Sequence, residues 1–323
     1  DIVEDQLRRT FSEAALTRFK YHRNFRVGVN WDGRGITTGD AHVPLVLRIS
    51  DGPETFSEAC DQARYDSQLA REQIFWVMAL TDEIDDQVAE LYRSRRMVGK
   101  YDQLRAQSKI TNEESASLAA EKTEALRLEE RLKGWLERAL ASGRGFFRGV
   151  SKDGASLGKT LSEILKAMFA FAVPDLYPKL EIGARPLKGT EAQELLRAAN
   201  LNGLSKVFYE PPEGLELVSR QGDKYVVNSE ARIAKEVAGH LSREHSYGNK
   251  VTGRTLEAYF GSMPYGWERE MLWLVLATLL RAGTMEVTYQ GRHYRNHLYP
   301  QARLPFSATN AFRASSRILT PRP

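Results

Sequence analysis

From Glu54 to Val173 the chain contains no proline, a run of 120 residues. Proline removes a backbone donor and clashes with the preceding helical turn, so its absence over such a length permits long helices. The residues inside the run show where they fall. Phe56 to about Arg71 reads as one helix. Ile74-Phe-Trp-Val-Met-Ala-Leu80 is a continuous apolar run too short for a buried helix of its own, and reads as a strand covered on both faces. Thr81 or Asp82 then caps a helix through Glu90 and Arg96. Ile84, Val88, Leu91, Val98 and Leu104 form one stripe on it. After the capping sequence Thr111-Asn112-Glu113-Glu114, Leu118, Ala125, Leu132 and Ala139 recur every seven residues, with Leu128 and Trp135 beside them. Two long helices joined at Lys109–Asn112 predict an antiparallel helical hairpin, ended by Gly143.

Before this run, Ile2, Val3, Leu7, Phe11, Ala15 and Phe19 recur at helical spacing. Phe25 to Trp31 alternates like a strand, Asp32-Gly33-Arg34-Gly35 is turn chemistry, and Val43 to Ile49 is a second strand. Pro44 marks that strand as an edge or marks its start. Helix, strand, strand, helix, strand, helix makes a mixed α/β layer. After the hairpin, Gly145 to Ala155 reads as a small β-hairpin on an Asp153-Gly154 turn, and Ser156 as the cap of a helix from Leu157 to Phe171. Pro174, Pro178 and Pro186 mark a linker region, Thr190 to Ala199 a short helix, and Pro211-Pro212-Glu213-Gly214 the clearest boundary.

The last segment has a different order. Ser229-Glu230 opens a helix that turns Ile233, Val237 and Leu241 inward; Thr252 to Phe260 is a second helix and Glu268 to Ala282 a third, ended by Gly283. Met285 to Tyr289, Gln290-Gly291 and Arg292 to Arg295 follow as strand, turn and strand. Three helices and a β-hairpin are the winged-helix pattern, a relative of the helix-turn-helix.

The 323 residues suit two or three domains. One cysteine, Cys60, excludes an internal disulfide framework and a zinc ribbon and fits a reducing, cytoplasmic setting. The apolar run Met271 to Ala277 is far short of the ~20 residues that a membrane-spanning helix needs. The chain begins Asp1-Ile2-Val3-Glu4, with no initiator Met and no signal peptide, which predicts a piece of something longer. Net charge is only +4 but unevenly placed. From Arg281 onward there are seven arginines (Arg281, Arg292, Arg295, Arg303, Arg313, Arg317 and Arg322) against the single acid Glu286. Arginine forks onto phosphate or carboxylate, so this end is either a solvated basic tail or a contact for nucleic acid or an acidic partner.

Two segments come near to nucleotide-binding motifs. Gly154-Ala-Ser-Leu-Gly158-Lys159-Thr160 resembles a phosphate loop, but only three residues separate the glycines where four are needed, and Asp153 stands at the fourth-spaced position. Ile74 to Leu80 followed by Asp82-Glu83 resembles a Walker B strand, yet acids in the first turn of a helix are favoured by its dipole alone. His293 and His297 have the spacing of helical metal ligands but fall on a strand and beyond it. Cys60, inside a helix without a histidine neighbour, reads as core. No catalytic residue, metal site or cofactor is expected in this chain.

In winged-helix DNA readers the third helix commonly enters the major groove with polar side chains. Here that helix is Met271-Leu-Trp-Leu-Val-Leu-Ala277 with Leu279-Leu280, apolar nearly all round and expected to be buried with Trp273 and Leu276 in the core. The wing residues Arg292 and Arg295, the second-helix residues Lys250 and Arg254, and Arg303 and Arg313 remain as candidate phosphate contacts. The competing reading is a protein–protein module.

Tyr265-Gly266-Trp267 through Gly283, and then Met285 to Arg292, resemble the C-terminal region of the P-loop ATPases of BREX-type phage-defence systems, the BrxC or PglY-like family. Ile74 to Asp82, with the following helix containing Glu90-Leu-Tyr-Arg-Ser94 and Met97, resembles that family's middle. The resemblance implies a non-catalytic C-terminal portion of a defence ATPase, downstream of its ATPase motifs. That portion would assemble with other defence proteins, with double-stranded DNA as a further partner. The alternative is a stand-alone winged-helix DNA-binding protein with a coiled-coil oligomerisation arm. The expected fold is α+β and mostly helical: a mixed α/β layer over 1–105, a helical hairpin with a small β-hairpin and helices over 106–205, a winged-helix-like domain over 206–300, and a basic tail over 301–323.

Overall fold

A computed structural model describes residues 2–14, 16–19, 23–37, 41–107, 109–306 and 317–321. The fold is α+β and mostly helical, and the chain forms two compact units, one mainly of the residues up to Val173 and the other mainly of those from Pro174 on.

In the first unit the elements are α1 (Ile2–Ala14), β1 (Leu16–Phe19), β2 (Arg23–Trp31), β3 (Arg34–Gly35), β4 (Val43–Ser50), α2 (Pro53–Leu69), β5 (Ile74–Ala79), α3 (Asp82–Ala106), α4 (Asn112–Ala141), β6 (Arg144–Phe147), β7 (Val150–Asp153), α5 (Gly154–Leu157) and α6 (Leu161–Leu176). The sheet runs β1-β2-β4-β5-β6-β7, with β3 paired to β2. β2, β4 and β5 are parallel, and β6 and β7 continue antiparallel. β5 is buried from Ile74 to Met78, as a strand covered on both faces must be. β4 lies inside the sheet, so Pro44 sits near a strand start and not at an edge. Cys60 and Ala63 of α2 pack on Phe75, Val77 and Phe146, and burial pushes the Cys60 thiol up, as expected of a core cysteine.

The helical hairpin is present. Thr111 and Glu114 form the reciprocal capping box that starts α4. Ile84, Leu91, Leu118, Leu128, Leu132 and Leu136 are buried. Ion pairs Arg95–Glu129 (2.7 Å) and Asp102–Lys122 (2.8 Å) run in opposite order along α3 and α4, which fixes the pair as antiparallel. The Trp76 indole N–H donates to the Leu140 carbonyl at 3.1 Å, tying the end of α4 to the sheet. Gly143 follows that end because a Cβ there would lie 2.5 Å from the Val77 carbonyl oxygen.

Several local expectations are corrected. The first helix stops at Ala14, because Leu16–Phe19 joins the sheet beside β2, where ladder pairing wins over helical spacing. The small β-hairpin turns on Arg148-Gly149, both at positive φ, and Asp153-Gly154 begins α5 instead. Ser156 donates to the Asp153 carbonyl and caps nothing; the helix that follows is capped at Thr160, whose hydroxyl accepts the Glu163 amide at 3.3 Å. Pro174 lies inside α6 and not in a linker.

The second unit contains α7 (Leu180–Gly183), α8 (Glu191–Arg197), β8 (Val218–Gln221), β9 (Lys224–Val227), α9 (Arg232–Ser246), β10 (Val251–Thr252), α10 (Gly253–Gly261), α11 (Arg269–Ala282), β11 (Met285–Tyr289), β12 (Arg292–Tyr294), α12 (Pro300–Arg303) and β13 (Arg317–Pro321). Helices α9, α10 and α11 with the β11–β12 wing are the expected winged helix. Every residue from Met271 to Leu280 is buried, Trp273 and Leu276 among them. Gly283 ends α11 in the left-handed region at φ 76°, which favours a residue without a Cβ. The wing belongs to a four-stranded sheet, β10-β13-β11-β12. Arg317–Pro321, placed by sequence in the basic tail, is therefore a strand between β10 and β11. The Pro211-Pro212 boundary signal lies inside this unit, between a short 3-10 helix at Lys206–Phe208 and β8.

Candidate interaction surface of the winged-helix region

The wing turns on Gln290-Gly291, both at positive φ, the geometry of a tight two-residue hairpin. Its register sets Tyr289 opposite Arg292 on one side and opposite Arg317 on the other. Arg292 is exposed, and among the described residues it has no ion-pair partner. Arg295 is also exposed and pairs loosely with Glu286 across the wing, at 3.4 Å.

The other expected contacts are dispersed. Lys250 and Arg254 are exposed at the β10 edge, the opposite side of the sheet from Arg292 and Arg295. Arg303 points inward: its Nε donates to the His297 carbonyl at 3.0 Å, and its own carbonyl accepts the Gln193 side chain at 2.7 Å. Arg281, a half-buried member of the basic run, donates to the Leu195 carbonyl, and burial lowers its pKa. Arg313 lies outside the described residues. The structure thus joins Arg292 to Arg295, groups Lys250 with Arg254 elsewhere, and gives Arg281 and Arg303 carbonyl partners.

A second basic surface escaped the sequence reading. Along α9, residues 232, 236, 239 and 243 share one helical face. With Lys179, Lys235, Tyr259 and Tyr265 they line a groove of about 630 Å³. Its floor is a hydrogen-bonded triad. Lys179 Nζ donates to both Glu236 oxygens, at 3.1 and 2.9 Å, and to the Tyr265 hydroxyl at 3.2 Å. The Tyr265 hydroxyl donates to Glu236 at 2.8 Å. Burial opposes ionisation of Glu236, but the Lys179 and Tyr265 bonds prevail, and the carboxyl lies below its ordinary value. The bond to Glu236 holds Lys179 above its ordinary value. Tyr265 is pushed up to about 12, by burial first and then by its bond to Glu236. Tyr259 stacks on the buried His240 at 3.8 Å and stays partly exposed at the groove. The signal available in sequence was the spacing of Arg232, Lys235 and Arg243; Lys179, from another segment, had none.

Among the described residues no group of three or more His, Cys, Asp or Glu side chains could hold a metal ion. Nor is any helix among them long and apolar enough to cross a membrane.

Three helices, the third of them buried, followed by a β-hairpin wing, with cations on the wing and on the first helix, define a winged-helix domain of the helix-turn-helix class. Residues 204–300 match the family model of the BREX ATP-binding protein BrxC winged helix-turn-helix domain. The chain is thus BrxC-like over that region, in keeping with the resemblance carried by Tyr265 to Arg292. No curated protein and no solved structure was found to match the chain.

Proposed function

We propose that this chain is a non-catalytic, C-terminal portion of a BREX-type phage-defence ATPase, acting in the cytoplasm to assemble with partner defence proteins. The BrxC winged-helix match over 204–300 carries the reading. Burial of Met271–Leu280 favours a protein partner, because α11 presents no polar face to a major groove. The helical hairpin α3–α4 supplies a long, charge-dense surface suited to oligomer or partner contacts.

Two experiments test this. Sequencing upstream of Asp1 should find an in-frame phosphate loop; a stop codon there sinks the ATPase reading. Proteins of the same defence system should co-purify with the tagged natural protein and be lost, with phage protection, on deletion of residues 204–300. Unchanged co-purification and protection would remove the assembly role.

The exposed Arg292 and Arg295 favour a second reading, a stand-alone winged-helix protein that contacts duplex DNA through phosphates and oligomerises through its coiled-coil arm.

A further inference from the structure

We propose that the groove along α9 is a docking site for an acidic, extended segment of a partner protein, gripped by Arg232 and Arg243. The proposal deepens the assembly reading and rests on it. The groove's volume of about 630 Å³ falls within the ordinary range of ligand clefts.

Two of its four cations are already engaged: Lys179 with Glu236, and Lys235 with Glu230 at 3.0 Å. Arg232 and Arg243 are exposed, and among the described residues neither has a carboxylate within ion-pair distance. A guanidinium offers a planar fork that matches a carboxylate with two parallel hydrogen bonds. The two arginines stand eleven residues apart on one face of α9. That separation is about 16 Å along a helix axis. An extended peptide rises about 3.3 Å per residue, so carboxylates roughly five residues apart would meet both forks.

The floor of the groove argues for a peptide over a nucleic acid. The Glu236 carboxylate lies between the two forks and repels any anion laid over it; a nucleic-acid strand carries a phosphate at every step, whereas an extended peptide turns alternate side chains away and can lay neutral backbone there. Two of its accepted bonds fall on Oε2 and one on Oε1, which leaves Oε1 with capacity for a further donor. A peptide N–H is such a donor and a phosphate is not. Tyr259, backed by His240, supplies a rigid aromatic wall of the kind that interfaces favour.

The test uses the whole 323-residue chain. Anisotropy of fluorescein-labelled deca-glutamate is read at low salt, beside fluorescein-labelled oligo-thymidylate of equal length. Deca-glutamate should bind and should weaken roughly tenfold or more in the Arg232→Gln/Arg243→Gln double variant, whose exposed positions leave the circular dichroism unchanged. The Arg292→Gln/Arg295→Gln variant should bind it like the parent. No deca-glutamate binding, or equal weakening in both variants, overturns the site. Oligo-thymidylate binding that is lost only in the α9 variant reassigns the groove to nucleic acid and likewise overturns it. The assembly reading fails separately, through the co-purification experiment on residues 204–300.

Discussion

Glu163 accepts the backbone amide of Lys159 at 2.7 Å through its carboxylate, and the same oxygen takes the Thr160 amide at 3.3 Å. In a phosphate loop the amides at these positions turn toward a nucleotide. Here the chain's own acid fills that place, and the Thr160 hydroxyl in turn accepts the Glu163 amide, completing a capping box for α6. The near-motif at Gly154–Thr160 is thus a helix start whose anion is built in.

Calorimetry with Mg-ATP should therefore show no binding. Micromolar affinity that disappears on Lys159→Ala would refute this and restore the loop as a nucleotide site.

The same contact predicts an acid dependence. The amides of Lys159 and then Thr160 hold the Glu163 carboxyl below its ordinary value. A depressed folded-state pKa contributes stability above the unfolded-state value, and that contribution is lost as pH falls through the folded value. Glu163→Gln should lower the melting temperature at neutral pH and flatten its fall on acidification. An acid limb identical to the parent's would show that the carboxylate contributes nothing there.

Burial of Trp273 and Leu276 makes α11 sensitive to truncation of its side chains. Leu276→Ala should cost about 2–5 kcal/mol. For a unit of this size that is a fall in melting temperature of roughly 5 °C or more. Trp273→Ala should be at least as severe, since it also removes the indole bond to Glu257 at 3.2 Å. A change within a degree for either would mean that the helix is exposed and free to read bases.

On DNA, the buried α11 leaves base edges unread, so any binding should be sequence-independent and salt-sensitive. With a labelled random duplex titrated at several salt concentrations, Arg292→Ala/Arg295→Ala should lower the slope of log K against log salt by roughly one per lost phosphate contact. Equal affinity and slope for parent and variant would take the wing out of the interface. Arg303→Ala should act through stability instead, because its guanidinium is spent on the His297 carbonyl.

Local chemistry made much of this protein legible before its structure. The proline-free run, the seven-residue apolar repeat and the Thr111–Glu114 capping box specify α3 and α4, because helix periodicity and end-capping are properties of near neighbours. The three helices and hairpin of the winged helix follow from the same signals, down to Gly283 as the stop of α11. Tertiary structure alone decided the rest. Leu16–Phe19 changed from helix to strand because a ladder beside β2 was available to it. β6 joined β5, and Arg317–Pro321 entered the wing sheet between β10 and β11, through hydrogen bonds to strands far away in the chain. Among the described side chains, the basic end divided into the exposed Arg292 and Arg295 and the carbonyl-bound Arg281 and Arg303. The α9 groove exists because Lys179 meets Glu236 across a separation of 57 residues. Pairings at such distance leave no mark on local periodicity, and only the packed chain brings them together.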